Sequence, residues 1–280
     1  DMSTENKEII FKVRNLQTWF PITKGFMKKV VGHVKAVDDV SLDVYKGETL
    51  GIVGESGCGK STFGKTVMML EKPTGGQVMF NYDGEYKDIT QFNKEEMFNF
   101  RRKVQMVFQD PYSALNPQKK IYSSFEEPLK THGINSQEER EKMMQRVLKM
   151  VNIQPDYLLR YPHEFSGGQR QRVWIAMALC QGTKTLFLDE PTTYLDIRYQ
   201  IEILQLVKKL NQEFGITIIM VLHDINQAIA YSDNVIGMKD GKVLVEGDPE
   251  EVITEESIRE LYGIELGVTR VDGRKFVLAV

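Results

Sequence analysis

The most constraining feature of the sequence is the segment TLGIVGESGCGKSTFGKTV, residues 49 to 67. It joins an apolar, β-branched run to a helical pattern through Gly54, four further residues, and then Gly59, Lys60 and Ser61. Glycines let backbone N–H groups close around an anion, and the N-terminus of the following helix favours negative charge at the same place. The sequence therefore predicts a phosphate-binding loop between a buried strand and a helix.

The loop residues have separable expected roles. Lys60 would reach the β- and γ-phosphates of a nucleotide, Ser61 would ligate Mg²⁺, and Thr62 would support the α-phosphate side. A glycine turn that binds nothing is the alternative, and the strand and helix on either side disfavour it. Cys58 is interpreted as a small tolerated residue rather than a redox switch. The nucleotide-binding candidates here are Gly54, Ser56, Gly57, Cys58, Gly59, Lys60, Ser61 and Thr62.

A pair of carboxylates follows a second apolar run, TLFLDEP. α/β sheets present ligand-binding groups at the carboxyl ends of their strands, where Asp189 and Glu190 are expected. Asp189 would hold Mg²⁺ through water, and Glu190 would act as the base for an attacking water or orient it. The alternative, a helix cap, is disfavoured because the phosphate loop is in the same chain.

The order of patterns predicts an α/β fold with a mostly parallel sheet. TLGIV, VQMVF, TLFL and ITIIMVL are typical of buried strands, and helical patterns follow most of them. A mostly helical stretch between about residues 94 and 161 predicts a helical insertion. Ile197, Ile201, Leu204 and Leu210 recur on one predicted helical face, which ends at Gly215. The final segment, VTRVDGRKFVLAV, predicts a hairpin around Asp-Gly.

Composition excludes several classes of function. The formal charge is −3, from 36 basic and 39 acidic residues, so no broad field for nucleic-acid binding is expected. The first residues lack the pattern of a secretory signal, and no apolar run approaches the roughly 20 residues of a membrane span. Two cysteines, Cys58 and Cys180, suit a reducing compartment. KGFMKKVVGHVK is locally basic, and a solvated loop joining two strands is favoured over a lipid or nucleic-acid patch.

Four further motifs narrow the prediction: VFQD around Gln109, FSGGQ at residues 165 to 169, YLD at 194 to 196 and VLHD around His223. With the two earlier motifs, and in this order, they make the chain resemble ATP-binding cassette (ABC) ATPases over nearly its whole length. The resemblance implies a P-loop core with an N-terminal antiparallel β-subdomain and an inserted helical subdomain. The expected division is a core of residues 1–93 and 170–246, a helical subdomain of 94–169, and a tail of 247–280 with a helix and a hairpin.

The resemblance also assigns roles to residues outside the phosphate loop. It implies a head-to-tail dimer in which Ser166, Gly167, Gly168 and Gln169 act in trans on ATP held by the partner cassette. Asp196 would couple the two sites, His223 would contact the γ-phosphate, and Gln109 would sense the γ-phosphate and the metal. An aromatic platform for adenine is expected at Phe20, or at Trp19.

What the cassette drives is inferred from resemblance alone. A single cassette with a modest insertion resembles a bacterial import ATPase on the inner face of the cell membrane, rather than a soluble non-transport ABC ATPase. Its partners would be permease subunits, a second identical or different ATPase and, indirectly, a solute-binding protein, with no nucleic acid. A module that closes on ATP without hydrolysing it is the other alternative, and Glu190 and His223 disfavour it.

Two substrate classes remain open. Residues 1 to about 170 resemble oligopeptide and dipeptide importer ATPases, whereas about 173 to 280 resemble iron-siderophore importer ATPases, as in a chimera or a natural mixed lineage. The family's groove for the membrane subunit lies in the peptide-like part, which favours peptides.

Overall fold

The computed structural model describes residues 7–26, 28–109 and 115–278. Contacts within the chain define two units: the first comprises Asp1–Met97 and Ile219–Val280, and the second Phe98–Ile218. The division expected from the sequence, at residues 93, 169 and 246, stays a prediction. Among the described residues, no helix has the length and apolar character that crossing a membrane requires.

The elements, in chain order, run as follows. The first part contains β1 (Ile9–Lys24), β2 (Lys29–Tyr45), β3 (Thr49–Val53), α1 (Lys60–Val67), β4 (Gly75–Tyr82), β5 (Glu85–Asp88), a 3-10 turn (Ile89–Gln91) and α2 (Lys94–Lys103). The middle part contains β6 (Val104–Val107), α3 (Ile121–Thr131), α4 (Gln137–Met150), 3-10 turns (Pro155–Leu159 and Pro162–Glu164), α5 (Gly167–Cys180), β7 (Thr185–Asp189), α6 (Ile197–Phe214) and β8 (Thr217–Val221). The last part contains α7 (Ile225–Tyr231), β9 (Asn234–Lys239), β10 (Lys242–Gly247), α8 (Pro249–Val252), α9 (Glu255–Tyr262), β11 (Gly267–Val271) and β12 (Arg274–Leu278).

The first unit contains an antiparallel sheet in the order β2-β1-β4-β5. The base of β1 alternates buried and less buried residues, and Phe11, Val13 and Leu16 are fully buried. That period of two is typical of a sheet with one face on the core. The pairing of β1 with β4 runs from Phe11 to Gln17, whereas its pairing with β2 continues to Lys24 opposite Lys29.

The phosphate-loop strand of the first unit is buried along its whole length. All residues of β3 are buried, and β3 pairs in parallel with β9, which pairs antiparallel with β10. A strand buried on both faces needs a continuous apolar run, which TLGIV supplies. The carboxyl end of β3 therefore has a fixed position from which the loop starts.

The second unit contains the parallel pair β6 and β7, in register from Val104 opposite Thr185 to Val107 opposite Leu188. β7 is buried throughout and ends at Asp189. Helix α5 begins at Gly167 and buries residues on most of its circumference, among them Trp174, Ile175 and Leu179. β7 and α5 thus fix the acidic pair and the glycine turn of the signature motif.

Helix α6 confirms its predicted ends but not its predicted face. Asp196 caps it, and Gly215 closes it in the left-handed conformation at φ 63°. Leu204 and Leu210 are buried, but Ile197 is 76% exposed and Ile201 43% exposed. At about 100° per residue, Ile201 lies only about 60° around the helix from the buried Leu204, so the first turns are exposed although they share that side of the helix. The apolar stripe predicted from residue 197 was therefore wrong in its first two members.

Most of the other elements predicted from the sequence are present in the structure. The strands predicted at TLGIV, VQMVF, TLFL and ITIIMVL correspond to β3, β6, β7 and β8. The C-terminal hairpin is confirmed, with Asp272 at φ 50° and Gly273 at φ 80° between β11 and β12. Positive φ at both central residues is the turn that the twist of a two-residue hairpin favours. The basic segment KGFMKKVVGHVK joins β1 and β2 as predicted, but most of it is strand rather than loop.

Candidate nucleotide site

The phosphate loop leaves β3 at Val53 and enters α1 at Lys60. Gly54, Gly57 and Gly59 have φ of 144°, 81° and 106°, a region that L side chains rarely adopt. A Cβ atom at Gly54 would lie 2.1 Å from the carbonyl oxygen of Met238, and one at Gly59 would lie 1.9 Å from that of Ala36. Backbone conformation and crowding together therefore require glycine at two of these positions.

Lys60 is buried, and its ammonium group turns back on its own loop. Nζ donates hydrogen bonds to the carbonyl oxygens of Gly54 at 2.8 Å and Glu55 at 2.7 Å. Helix α1 begins at Gly59 without a side-chain cap. The first turn thus has backbone N–H groups that no side chain of the cap residue uses, beside a lysine that already lies in the loop. This arrangement fits a phosphate group, whose oxygens accept from both.

Cys58 lies inside this loop with its sulfur 3.8 Å from Lys60 Nζ. Burial raises the pKa of the Cys58 thiol, although the neighbouring ammonium opposes the shift. A thiol with a raised pKa is a poor nucleophile at neutral pH, because the thiolate is the reactive form. The interpretation of Cys58 as a small packing residue is in keeping with this.

The acidic pair lies where β7 ends, in the second unit. Asp189 is 4% exposed and Glu190 8% exposed, and Glu190 has a positive φ of 51°. Gln109, which follows β6, donates a hydrogen bond from Nε2 to Glu190 Oε2 at 2.6 Å. The Thr193 hydroxyl donates to the same oxygen at 3.3 Å. The parallel strands β6 and β7 bring Gln109 and Glu190 together across 81 positions of sequence.

Thr193 was missed at the level of sequence. Its only signal is its spacing three residues after Glu190, in a TT pair that looks like an ordinary turn. Two donors on one carboxylate oxygen hold that side chain in place. The strained backbone of Glu190 is the kind of outlier found at functional sites.

The signature turn forms the N-terminus of α5. Ser166 Oγ accepts from the backbone N–H of Gln169 at 3.3 Å, and Gln169 Oε1 accepts from that of Ser166 at 3.0 Å. This reciprocal capping box was not predicted, although serine and glutamine have its spacing. A Cβ atom at Gly168 would lie 2.6 Å from Tyr199 Cδ1, whereas one at Gly167 would meet Leu195 Cδ2 at 3.2 Å. Gly168 is therefore required by packing against α6.

The remaining candidates lie at element ends or on β1. Asp196 caps α6 by accepting from the backbone N–H of Tyr199 at 3.2 Å. His223 follows β8 and is exposed. On β1, Phe20 is 39% exposed, and the neighbouring Trp19 has Lys35 Nζ over its ring at 4.3 Å from the centroid. Because a cation already covers one face of Trp19, the preference for Phe20 as adenine platform is kept as a prediction.

The candidates fall into two groups. The phosphate loop, Phe20 and His223 belong to the first unit, and Gln109, Asp189, Glu190, the signature turn and Asp196 belong to the second. Among the described residues, no cluster of three or more His, Cys, Asp or Glu side chains could hold a metal ion. The predicted Mg²⁺ ligands, Ser61, Gln109 and Asp189, instead offer hydroxyl, amide and carboxylate oxygens. Mg²⁺ accepts such oxygens and completes its shell with water and phosphate.

A family model described as "ABC transporter" matches residues 37–193. That range includes the phosphate loop, the signature turn and the acidic pair. The chain belongs to the ABC transporter family. Both the ABC ATPase fold and the ATP-binding character predicted from the motifs are thereby confirmed.

Curated relatives of this cassette include several peptide-transport proteins. It is 43% identical over 244 residues to the oligopeptide transport ATP-binding protein AppF of Bacillus subtilis, covering 87% of this chain and 73% of the relative. It is 34% identical over 278 residues to OppF of Lactococcus lactis subsp. lactis, covering 97% and 86%. It is 40% identical to the glutathione import ATP-binding protein GsiA of Pectobacterium atrosepticum, covering 90% of this chain but 40% of that relative.

Solved structures agree on the fold of the cassette. The dimeric MJ0796, described as a bacterial ABC transporter cassette, is 34% identical with a TM-score of 0.73, covering 86% of this chain and 99% of that one. A post-hydrolysis dimer of the same protein, bound to ADP and Pi, has a TM-score of 0.72. The cbiO1 structure from Clostridium perfringens is 30% identical with a TM-score of 0.73, covering 91% and 94%.

The expected change of resemblance near residue 170 has no support in these comparisons. The similarity to oligopeptide OppF extends over 97% of the cassette, and therefore well past the signature turn. The peptide-importer resemblance accordingly applies to both halves. The siderophore-type second half and the chimera are left without an observation in their favour.

Proposed function

We propose that this cassette is the ATP-hydrolysing motor subunit of a bacterial importer for oligopeptides or dipeptides. The observation that carries the substrate class is the similarity to peptide-transport ATPases, 34% to 43% identical to AppF and OppF along nearly the whole chain. The contact between Gln109 and Glu190 supports turnover rather than passive nucleotide binding, because it positions a buried carboxylate as a base.

ATP would be held first by the phosphate loop. Its phosphates would take the ammonium of Lys60 away from the carbonyls of Gly54 and Glu55 and accept from the N–H groups at the start of α1. Ser61, Gln109 and Asp189 would hold Mg²⁺, which neutralises charge developing on the β- and γ-phosphate oxygens. Phe20 would stack on the adenine ring.

Glu190 would orient the attacking water and accept its proton. Gln109 and Thr193 would restrain one carboxylate oxygen and so hold the carboxylate in place. His223 would contact the γ-phosphate. Gln109 would sense the γ-phosphate and the metal while its Nε2 donates to Glu190, and it would relay the nucleotide state to the helical insertion.

Two cassettes would form the working unit. Solved relatives that are dimeric support the pairing, and the family resemblance implies a head-to-tail arrangement in which Ser166, Gly168 and Gln169 would meet ATP held by the partner. Asp196 would lie between the two sites. Permease subunits would attach the dimer to the inner face of the cell membrane, and a solute-binding protein would act on the permease from the other side.

The decisive variant is Glu190→Gln. It keeps size and hydrogen bonding but removes the base, so we expect ATP binding to persist, turnover to fall by about 10²- to 10⁴-fold, and a dimer to accumulate with ATP. Glu213→Gln, an exposed change on α6, serves as the matched control with unchanged turnover. Turnover at the parental rate in the Glu190 variant would show that another group is the base. A parental chain that binds ATP without turnover would favour a nucleotide-gated module.

The substrate class needs a separate experiment. Co-expression with peptide permeases and, in parallel, with siderophore permeases should show ATPase stimulation by the peptide permeases. Stimulation by the siderophore permeases alone would revive the alternative substrate. Association with ribosomes in place of either permease would contradict the import function.

A further inference from the structure

The hairpin between β1 and β2 extends beyond the sheet to which it belongs. The pairing of β1 with β4 ends at Gln17 opposite Gly75, whereas its pairing with β2 continues to Lys24 opposite Lys29. Residues 20–26 and 28–34, here called the arm, therefore form a two-stranded ribbon. Such a ribbon is marginally stable in water unless something covers it.

The arm exposes six large apolar side chains. Phe26, at the turn, is fully exposed, and the strands expose five more large apolar side chains: Phe20, Ile22, Val30, Val31 and Val34. The register places these side chains on both faces, because Ile22 pairs with Gly32 whereas Val30 pairs with the next residue, Thr23. A partner that covered one face of the ribbon would leave the other face exposed to water. Immersing the tip would cover both.

The charge of the arm is opposite to that of the chain. Between Phe20 and Val34 the sequence has Lys24, Lys28 and Lys29 and no acidic residue, in a chain of net charge −3. Lys24 and Lys29 are direct cross-strand partners. Like charges in that position destabilise a hairpin in water, and an anionic surface beside the pair would offset their repulsion.

We propose that the arm docks this protein directly on an anionic phospholipid bilayer. Phe26 enters the boundary between headgroups and acyl chains, Ile22, Val30 and Val31 lie at headgroup depth, and the lysines contact lipid phosphates with their aliphatic stems along the apolar layer. Neighbouring Lys35 is not part of the site, since it pairs with Asp38 at 3.3 Å. This contact is additional to any permease.

The test uses the full chain without nucleotide or permease. Its partition onto vesicles of phosphatidylglycerol and phosphatidylcholine is compared with its partition onto phosphatidylcholine alone, by co-sedimentation at low and high salt. We expect strong, salt-sensitive binding to the anionic vesicles and little to the neutral ones. Equal partition onto both, or onto neither, would overturn the proposal.

Two variants locate the contact. Lys24→Gln, Lys28→Gln and Lys29→Gln together should weaken vesicle binding on the order of 100-fold, at about fivefold for each lysine, and Phe26→Ser should weaken it roughly tenfold. The matched controls are the exposed set Lys149→Gln, Lys184→Gln and Lys208→Gln, and Phe276→Ser on the C-terminal hairpin. Both controls should bind like the parent.

Two results would contradict the proposed contact with lipid. If the arm variants bind vesicles as the parent does, lipid is not the partner. If they keep vesicle binding but lose stimulation by a permease, the arm binds protein. Thermal unfolding at the parental temperature verifies that each variant is folded, and unchanged basal ATPase shows that substitutions at Phe26 and the three lysines leave the nucleotide site, including Phe20 at the base of the arm, undisturbed.

Discussion

Two glycine turns begin helices in this protein, and they are built on different principles. In the phosphate loop, Gly59 has φ 106° and the helix starts without a side-chain cap. In the signature turn, Ser166 caps the helix, and Gly167 and Gly168 are its first two residues. The first turn leaves donors for a ligand, whereas the second satisfies part of its own. Similar glycine content thus reflects backbone conformation in one case and close packing in the other.

The largest expected effect is a loss of stability in phosphate-loop variants that distinguish backbone conformation from crowding. Gly59→Ala should destabilise the fold by more than about 3 kcal/mol, because its Cβ would overlap a backbone carbonyl at an already strained φ. Gly57→Ala, at φ 81° with nothing within 4 Å of its Cβ, should cost about 1–2 kcal/mol. Urea-induced unfolding measures the free energy of unfolding of both variants. Equal losses would show that crowding contributes nothing.

The next effect tests packing at the signature turn. Gly168→Ala should lower the free energy of unfolding by about 1–2 kcal/mol, since the new Cβ meets the Tyr199 ring. Gly167→Ala should change it by less than about 0.5 kcal/mol. A double-mutant cycle with Tyr199→Ala should recover most of the loss. If Tyr199→Ala gives no recovery, the glycine is required for another reason.

A smaller effect distinguishes a cap from a ligand-binding group. Ser166→Ala should cost about 1 kcal/mol of stability through the lost cap. Ser136→Ala removes an equivalent cap, since Ser136 accepts from Glu139 N–H at the same 3.3 Å. The two should therefore unfold alike, but under the proposed function only the Ser166 variant should lose ATP turnover. Parental turnover in both would reduce Ser166 to a structural cap.

The smallest effect is on the alkylation rate of the two cysteines. One, Cys58, lies in the phosphate loop, and the other, Cys180, is the last residue of the helix that begins at the signature turn. Burial raises the pKa of Cys58 and raises that of Cys180 to about 12. A higher pKa means less thiolate at a given pH, so alkylation of the native chain should be slow at pH 8 and still rising above pH 9. Alkylation of Cys180 that levels off near pH 8.5 would contradict this burial.

Local patterns predicted the ends of the elements well. A buried strand needs a continuous apolar run, and Asp196 and Gly215 are residues that begin and end helices, so β3, β7 and α6 followed from their own sequences. The exposed side of α6 did not follow. Apolar spacing cannot tell which turns of a helix are covered, because the covering residues come from elsewhere in the chain.

The candidate site also contains some features that the local sequence predicted and others that it did not. The phosphate loop and the DE pair were recognised from residue order, since their chemistry depends on adjacent groups. Thr193 and Tyr199 were missed because each acts through a contact: Thr193 with a carboxylate oxygen, Tyr199 with the space a glycine leaves. The segment KGFMKKVVGHVK, which forms most of the arm, was interpreted as a solvated loop because its charge was visible in the sequence but the point where β1 stops pairing with β4 was not.

The sequence alone determined the phosphate loop, the acidic pair, the order of strands and helices and the family resemblance, because each depends on spacing within a few residues. The tertiary structure decided that Gln109 reaches Glu190, that Gly168 faces Tyr199, and that the arm extends beyond its sheet. These depend on which distant segments meet. Pairing and packing between segments far apart in the chain are set by the whole fold, and no local pattern encodes them.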